Sequence, residues 1–194
     1  MTNTLLVVRH GETEWSRSGR HTGRTDLELT GAGCLQAEVL ASRVRSLVPA
    51  PSLVLSSPLR RAAETCRLAG FGDLVQIDPD LVEWDYGSYE GLTTPEIREV
   101  RPGWNLWNDG VPGGETASEV GRRADRVIAR ARREPGDTVV FAHGHLLRVL
   151  AARWVGLPPV GGRVLALSPG GIGVLGWERE VPIVQLWNDP AVRV

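Results

Sequence analysis

Lysine is missing from this sequence: all 22 cationic side chains of its 194 residues are arginine, and cysteine, histidine and methionine number only 2, 4 and 1. Without lysine there is no Schiff-base amine and no phosphate-loop lysine, so any clamp on a phosphate must be built from arginine or histidine. Cys34 and Cys66 lie far apart and form no CxxC pair. They read as two buried or semi-buried free thiols in a reducing cytoplasm, not as a disulfide framework. Neither sits in a phosphate-cradling glycine loop, which argues against a catalytic thiol. The amino terminus MTNTLLVVRH has too short an apolar run for a signal peptide, with no basic region before it. No stretch reaches the ~20 uninterrupted apolar residues of a membrane-spanning helix. Net charge is −1 and 42 % of residues are apolar, so disorder, a membrane surface and a nucleic-acid partner all lack support. The expectation is a soluble, cytoplasmic α/β domain spanning 1–194.

What is present alternates between strand and helix. Thr4 to Val8, a short apolar run, ends abruptly in Arg9, His10 and Gly11, as a buried strand does where it meets a crevice. Thr30 is placed to cap a helix with the stripe Leu35, Val39, Leu40, Val44 and Leu47, ended by Pro49 and Pro51. Leu53 to Leu55 and Val75 to Ile77 read as strands flanking a helix from Leu59 to Ala69. Glu115 to Arg133 is an amphipathic helix, Thr138 to Ala142 a strand, and Leu146 to Val155 another helix. Three short β segments close the chain: Val164 to Leu167, Ile172 to Trp177 and Pro182 to Trp187. Together these predict a three-layer α/β/α sandwich with a mostly parallel central sheet and an antiparallel edge. Exposed Trp177 or Trp187 on the terminal strands would suit edge pairing into a homodimer. Residues 84–114 break the pattern with tryptophans, tyrosines, glycines and prolines, around a short helix over Pro95 to Val100. A long irregular connection of this kind is expected to be a cap over a binding site.

The chemistry-bearing residues recur at strand ends. Arg9-His10-Gly11 follows the first strand, and His143-Gly144-His145 follows the strand Thr138 to Ala142. In a parallel sheet, two such ends meet over one crevice.

Taken whole, RHGETEW, SPLRRAAET, LVEWDYGSYEGLT, PGGET and AHGH resemble, in chain order, the histidine phosphatase superfamily, also called phosphoglycerate mutase-like. The closest similarity is to its acid phosphatase-type members, and it covers most of residues 4 to 155. The resemblance implies that His10 is the nucleophile taking up a phosphoryl group whose oxygens Arg9 holds. It implies that Arg61, following SxLx, is a phosphate ligand, joined by His143 and Gly144. His143 would be protonated and donate to the phosphate. Glu83 falls where the family's general acid/base lies, with Asp85 and Glu90 as runners-up. Gly113-Gly114-Glu115-Thr116 reads mainly as helix-start structure. Ser16, Arg20, His21, Thr22, Gly23 and Trp84 are candidates for the substrate wall, and Trp104, Trp107 and Arg24 also come within reach of it. A backbone amide at the start of the Arg61 helix would add to anion binding. The implied activity is metal-free hydrolysis of small phosphate esters through a phosphohistidine, with no cofactor.

Three rivals stand beside it. His143-x-His145 on a strand has metal-ligand spacing, but no acidic neighbour accompanies it. A 2,3-bisphosphoglycerate-dependent phosphoglycerate mutase is supported by Arg20, Thr22 and Gly23. Against it, Ser16 stands where that group has asparagine, and between Gly91 and Gly113 the only cations are Arg98 and Arg101. A silent phospho-ligand binder would be expected to have lost one of Arg9, His10, Arg61, Glu83 or His143, and all five are present.

Overall fold

The computed structural model describes residues 3–190. Six strands form one sheet: β1 (Leu5–Arg9), β2 (Leu53–Ser56), β3 (Val75–Ile77), β4 (Thr138–Ala142), β5 (Ile172–Glu178) and β6 (Val181–Asp189). Their order across the sheet is β3-β2-β4-β1-β5-β6. The first four pair in parallel, and β5 and β6 run as an antiparallel hairpin along one side.

Period-two alternation divides the central strands between two cores. Leu5, Val7, Leu55, Val140 and Ala142 face one, and Leu6, Val8, Val54, Val139 and Phe141 the other. The first core is closed by α6 (Ala117–Ala131) and α7 (Gly144–Trp154), and the second by α2 (Gly31–Leu47) and α3 (Arg60–Cys66). This is the expected sandwich. Three shorter helices are α1 (Glu14–Ser18), α4 (Thr94–Val100) and α5 (Leu106–Asp109). Among the described residues, no helix is long and apolar enough to cross a membrane.

Several elements differ from expectation. Thr30 does cap α2, but the buried face is Gly33, Ala37, Leu40 and Val44. Leu35 is 65 % exposed and Val39 41 %. Small residues face the sheet because the start of α2 packs directly on backbone: a Cβ on Gly11 would lie 2.4 Å from the Gly33 carbonyl oxygen. The helix after β2 is shorter than predicted, passing after Cys66 into a widened turn, Arg67–Phe71, with Gly70 left-handed at φ 79°. Val164 to Leu167 is not a strand. Residues Pro159–Val164 form a 3-10 turn against α7, and the Leu167 and Ala166 carbonyls accept side-chain hydrogen bonds instead of pairing in the sheet. Trp177 and Trp187 are half-buried within the chain itself. Their indole N–H groups donate to the Asn3 and Ala166 carbonyls, and Trp177 meets Trp154 edge-to-face at 5.4 Å.

Candidate active site

Strands β2, β4 and β1 lie side by side, so Ser57, His143 and His10, which follow them, come together beyond their carboxyl ends. The His10 and His143 rings are 5.2 Å apart. His10 is buried, and its Nδ1 donates to the Gly11 carbonyl at 2.7 Å. That bond fixes the tautomer and leaves the Nε2 lone pair without a hydrogen-bond partner among the described residues. Burial, with Arg9 and Arg61 nearby, holds the His10 pKa well below its ordinary 6.5, so the ring is neutral.

His143 is also neutral. Arg61 Nε donates to its Nδ1 at 3.1 Å, which places the ring proton on Nε2, 2.8 Å from Ser57 Oγ. Burial first, then Arg61, His10 and Arg9, press its pKa well down. The expectation of a protonated His143 is therefore corrected: in this geometry it offers one N–H and no charge.

Arg61 is fully buried, and the structure gives it more work than phosphate binding. Nη1 donates to the Thr25 carbonyl at 2.8 Å, and Nη2 to those of Thr22 and Gly23 at 3.2 and 2.9 Å. Four of its five N–H groups are thus spent on protein. The start of its helix is likewise occupied, because the Arg60 amide donates to Asp26. Arg9 is different. One Nη1 bond reaches the Leu167 carbonyl at 2.5 Å, while the buried Nε has no partner among the described residues. An unpartnered buried guanidinium donor beside a cavity is what an anion site requires.

Glu83 Oε1 accepts from the Trp84 and Leu146 amides at 2.9 and 2.8 Å, and Oε2 from the His145 amide at 3.0 Å. The carboxylate therefore seats on the first turn of α7, whose N-cap His143 makes no side-chain cap bond. The runners-up are employed elsewhere. Asp85 pairs with Arg24 at 2.6 Å, and Glu90 accepts from the Gly23 and Thr25 amides. Glu115, in the Gly-Gly-Glu-Thr turn, holds Asp85 N and the buried Arg123, a structural role as expected.

A cavity of about 170 Å³ is lined on the side of the β1 end and the α7 start, here its floor, by Arg9, His10, Glu83 and Gly144, while Ser57, Arg61 and His143 lie outside the lining. Ser16, Arg20, His21, Thr22, Tyr86, His145 and Arg148 form its outer wall. Two predicted wall residues are absent. Trp84 is fully buried, with its indole N–H on the Glu115 carbonyl, and Trp104 and Trp107 are buried in the same core. Gly23 is packed under Trp84 and Glu90, with both backbone groups bonded to protein. Arg24, Arg98 and Arg101 also turn away, to Asp85, the Trp104 carbonyl and Asp109.

Sequence reading missed Ser57, Tyr86 and Arg148, and named His145 only in a metal-ligand spacing. Tyr86 Oη and His145 Nδ1 share a hydrogen bond of 2.6 Å; burial pushes the phenol pKa up and that of the imidazole down. His143 and His145 do not share a strand, since α7 begins at Gly144 and their rings meet different partners. Among the described residues, no three His, Cys, Asp or Glu side chains are grouped to hold a metal ion.

Comparison with known proteins agrees with this arrangement. Residues 5–190 match the family described as Histidine phosphatase superfamily (branch 1). An acid phosphatase of Mycobacterium tuberculosis is 42 % identical over 191 residues, covering 96 % of this chain and 94 % of that one. A glucosyl-3-phosphoglycerate phosphatase of Mycolicibacterium vanbaalenii is 34 % identical, over 96 % and 87 % of the two chains. The solved structure of the Rv3214 open reading frame product from Mycobacterium tuberculosis superposes with a TM-score of 0.89. It is 41 % identical and covers 96 % of this chain and 97 % of its own.

Proposed function

The chain belongs to the histidine phosphatase superfamily, with an activity of the phosphatase or mutase-like class, and from that premise we propose that it is a metal-independent phosphomonoester hydrolase using His10 as nucleophile. The observation that carries the reading is the pairing, at one cavity, of a neutral His10 Nε2 and an Arg9 Nε that have no hydrogen-bond partner among the described residues.

The proposed reaction has two steps. Arg9, the remaining Arg61 N–H and the His143 Nε2–H hold the phosphoryl oxygens, with Nε2–H turning from Ser57 to the substrate. A phosphate monoester carries close to two negative charges at neutral pH. His143 serves as a neutral donor, its Nδ1 lone pair held by Arg61 Nε–H and its one ring proton on Nε2. His10 Nε2 attacks phosphorus, the ester P–O bond breaks, and Glu83 supplies a proton to the leaving oxygen. Glu83, now ionised, takes a proton from water; the water oxygen attacks phosphorus, the P–N bond breaks, and phosphate leaves. The protein supplies position and preorganised donors, and one carboxyl cycling its proton serves both steps.

We read residues 84–114 as the cap of a single domain, contributing Tyr86 to the wall, and small phosphorylated metabolites as the substrate class. We place the protein in the cytoplasm. Cys34 and Cys66 are both free, and burial pushes the Cys66 thiol up to about 12, leaving it inert.

The test is hydrolysis of p-nitrophenyl phosphate with EDTA present, from about pH 4.5 to 8, with His10→Ala alongside. EDTA-resistant turnover that His10→Ala lowers beyond the ~10²–10³-fold typical of one lost electrostatic donor supports the proposal. An inactive native protein sinks it. Conversion of 3-phosphoglycerate in the presence of 2,3-bisphosphoglycerate would then favour the mutase alternative, and binding without turnover the silent phospho-ligand binder.

A further inference from the structure

The reactive ring depends on a carbonyl that has no stiffness of its own. The His10 main chain is held on both sides, its amide on the Ala142 carbonyl and its carbonyl on the Gly170 amide, each at 3.0 Å. The ring is held differently. Among the described residues its one hydrogen bond is the 2.7 Å bond from Nδ1 to the Gly11 carbonyl. That carbonyl belongs to a glycine, whose torsions are the least restricted of any residue. Glycine is required there, because a Cβ would strike the Gly33 carbonyl, so its neighbours must impose the conformation.

Two side-chain bonds reach the peptides on either side of Gly11. The peptide bearing the Gly11 carbonyl is tied through the Glu12 amide to Gln36 Oε1 at 2.9 Å, an exposed bond that water can replace. The preceding peptide is tied through the Gly11 amide to Thr65 Oγ1 at 3.0 Å, and this bond is buried. Thr65 lies on α3, four residues after Arg61, and is fully enclosed. Its hydroxyl proton donates to the Arg61 carbonyl at 2.6 Å, which leaves the oxygen lone pairs to accept the Gly11 amide. Threonine is a poor helix former, and valine would fill the same buried space with no hydroxyl to satisfy. Both bonds of this hydroxyl go to segments that carry the site: the strand end of His10 and the helix of Arg61.

We propose that Thr65 is a positioning residue for the nucleophile: by fixing the Gly11 backbone it holds the His10 ring with its proton on Nδ1 and its lone pair on Nε2. Thr65 touches neither substrate nor the reacting atoms and acts through the Gly11 carbonyl. The inference deepens the reading of His10 as nucleophile and rests on it, so one arm of its test needs no turnover.

Thr65→Val keeps the shape and deletes the hydroxyl, and Thr65→Ser keeps the hydroxyl and deletes a methyl group. Each is studied in the full chain at a temperature where melting curves show it folded. The first readout is the nitrogen-15 spectrum of the histidine rings at neutral pH, with His10→Ala identifying the His10 signals. The native ring should show a protonated Nδ1 and a bare Nε2. Thr65→Val should move the two nitrogen signals toward each other, as in a ring exchanging between tautomers, and Thr65→Ser should keep the native pattern. The second readout is hydrolysis of p-nitrophenyl phosphate. Thr65→Val should lower kcat about 10- to 100-fold, the cost of a misplaced reacting group, with KM changed by less than about threefold. Thr65→Ser should keep most of the native kcat. Should valine leave the chain unfolded, Thr65→Cys, with a weak acceptor of similar size, is read in its place and should shift both readouts in the same direction. A hydroxyl-less variant with the native ring spectrum overturns the inference. So does a loss that falls on KM alone, or a Thr65→Ser variant as impaired as Thr65→Val. If the native protein turns over no ester, the hydrolase reading fails, and the ring spectrum alone then decides whether Thr65 positions His10.

Discussion

The floor of the cavity and its outer wall are built by different means. On the floor, each group is fixed by backbone or by one dedicated partner. His10 is set by the Gly11 carbonyl and Glu83 by three amides, with His143, held by Arg61 and Ser57, outside the cavity lining. These positions follow from the ends of neighbouring parallel strands and leave little room to vary. The wall is a chain of side chains resting on one another. His21 packs on Tyr86 at 4.8 Å, Tyr86 bonds His145, His145 meets Trp107 at 5.4 Å, and Trp107 backs Arg148. A floor built on backbone suits invariant chemistry, and a wall built on side chains suits a choice of substrate.

This contrast can be broken in descending order of effect. Glu83→Gln keeps the size and removes the proton carrier. It should lower kcat by about 10²–10⁴-fold, the range for a general acid–base group, with a smaller change in KM. A loss confined to KM would move Glu83 from chemistry to binding.

Next comes acid sensitivity of the fold. All four histidines, His10, His21, His143 and His145, have pKa values lowered chiefly by burial. The unfolded chain takes up protons near the ordinary 6.5 while the folded chain does not, so folding is favoured above that value. As pH falls through about 6.5, stability should drop, and it should go on dropping until the folded histidines themselves titrate. Thermal melts from pH 7.5 to 5 check this, and a flat profile would show that the rings are not buried neutral. Because His10 stays neutral well below 6.5, turnover should survive into acid until the fold gives way.

The smallest effect expected is on the wall. Tyr86→Phe deletes the hydroxyl bonded to His145 Nδ1 and should cost about 1–3 kcal/mol of stability, the penalty for a buried polar group left unpaired. Its effect on kcat should stay well below that of Glu83→Gln. A kcat loss as large as that of Glu83→Gln would put Tyr86 among the reacting groups and erase the distinction between floor and wall.

The same contrast explains what could be read in the sequence. Arg9, His10, Arg61, Glu83 and His143 sit in short strings tied to strand ends and helix starts; Arg9, His10 and Glu83 line the cavity, while Arg61 and His143 bond each other outside its lining. The sandwich was equally readable, because β1 and β4 are continuous apolar runs and α6 has a sharp apolar face. The wall was not. Trp84, Trp104 and Trp107 carry no local sign of whether they face a cavity or a core, and all three went to the core. Arg148 lies on α7 among apolar neighbours, far in sequence from the segment searched for cations, and its partners on the 3-10 turn are carbonyls, which leave no trace in sequence. The α2 stripe was misread for a related reason. Leu35 and Val39 fit the helical period, but the helix approaches the backbone of Gly11 and Glu12 so closely that glycine and alanine turn inward there.

The central claim is a covalent intermediate on His10. The direct measurement is rapid mixing of the native protein with radiolabelled phenyl phosphate, followed by an alkaline quench and peptide mapping. The account predicts an acid-labile, alkali-stable phosphoryl group on His10, formed fast enough to account for turnover and absent from His10→Ala. Steady turnover with no label on His10, or with the label on another residue, would contradict it.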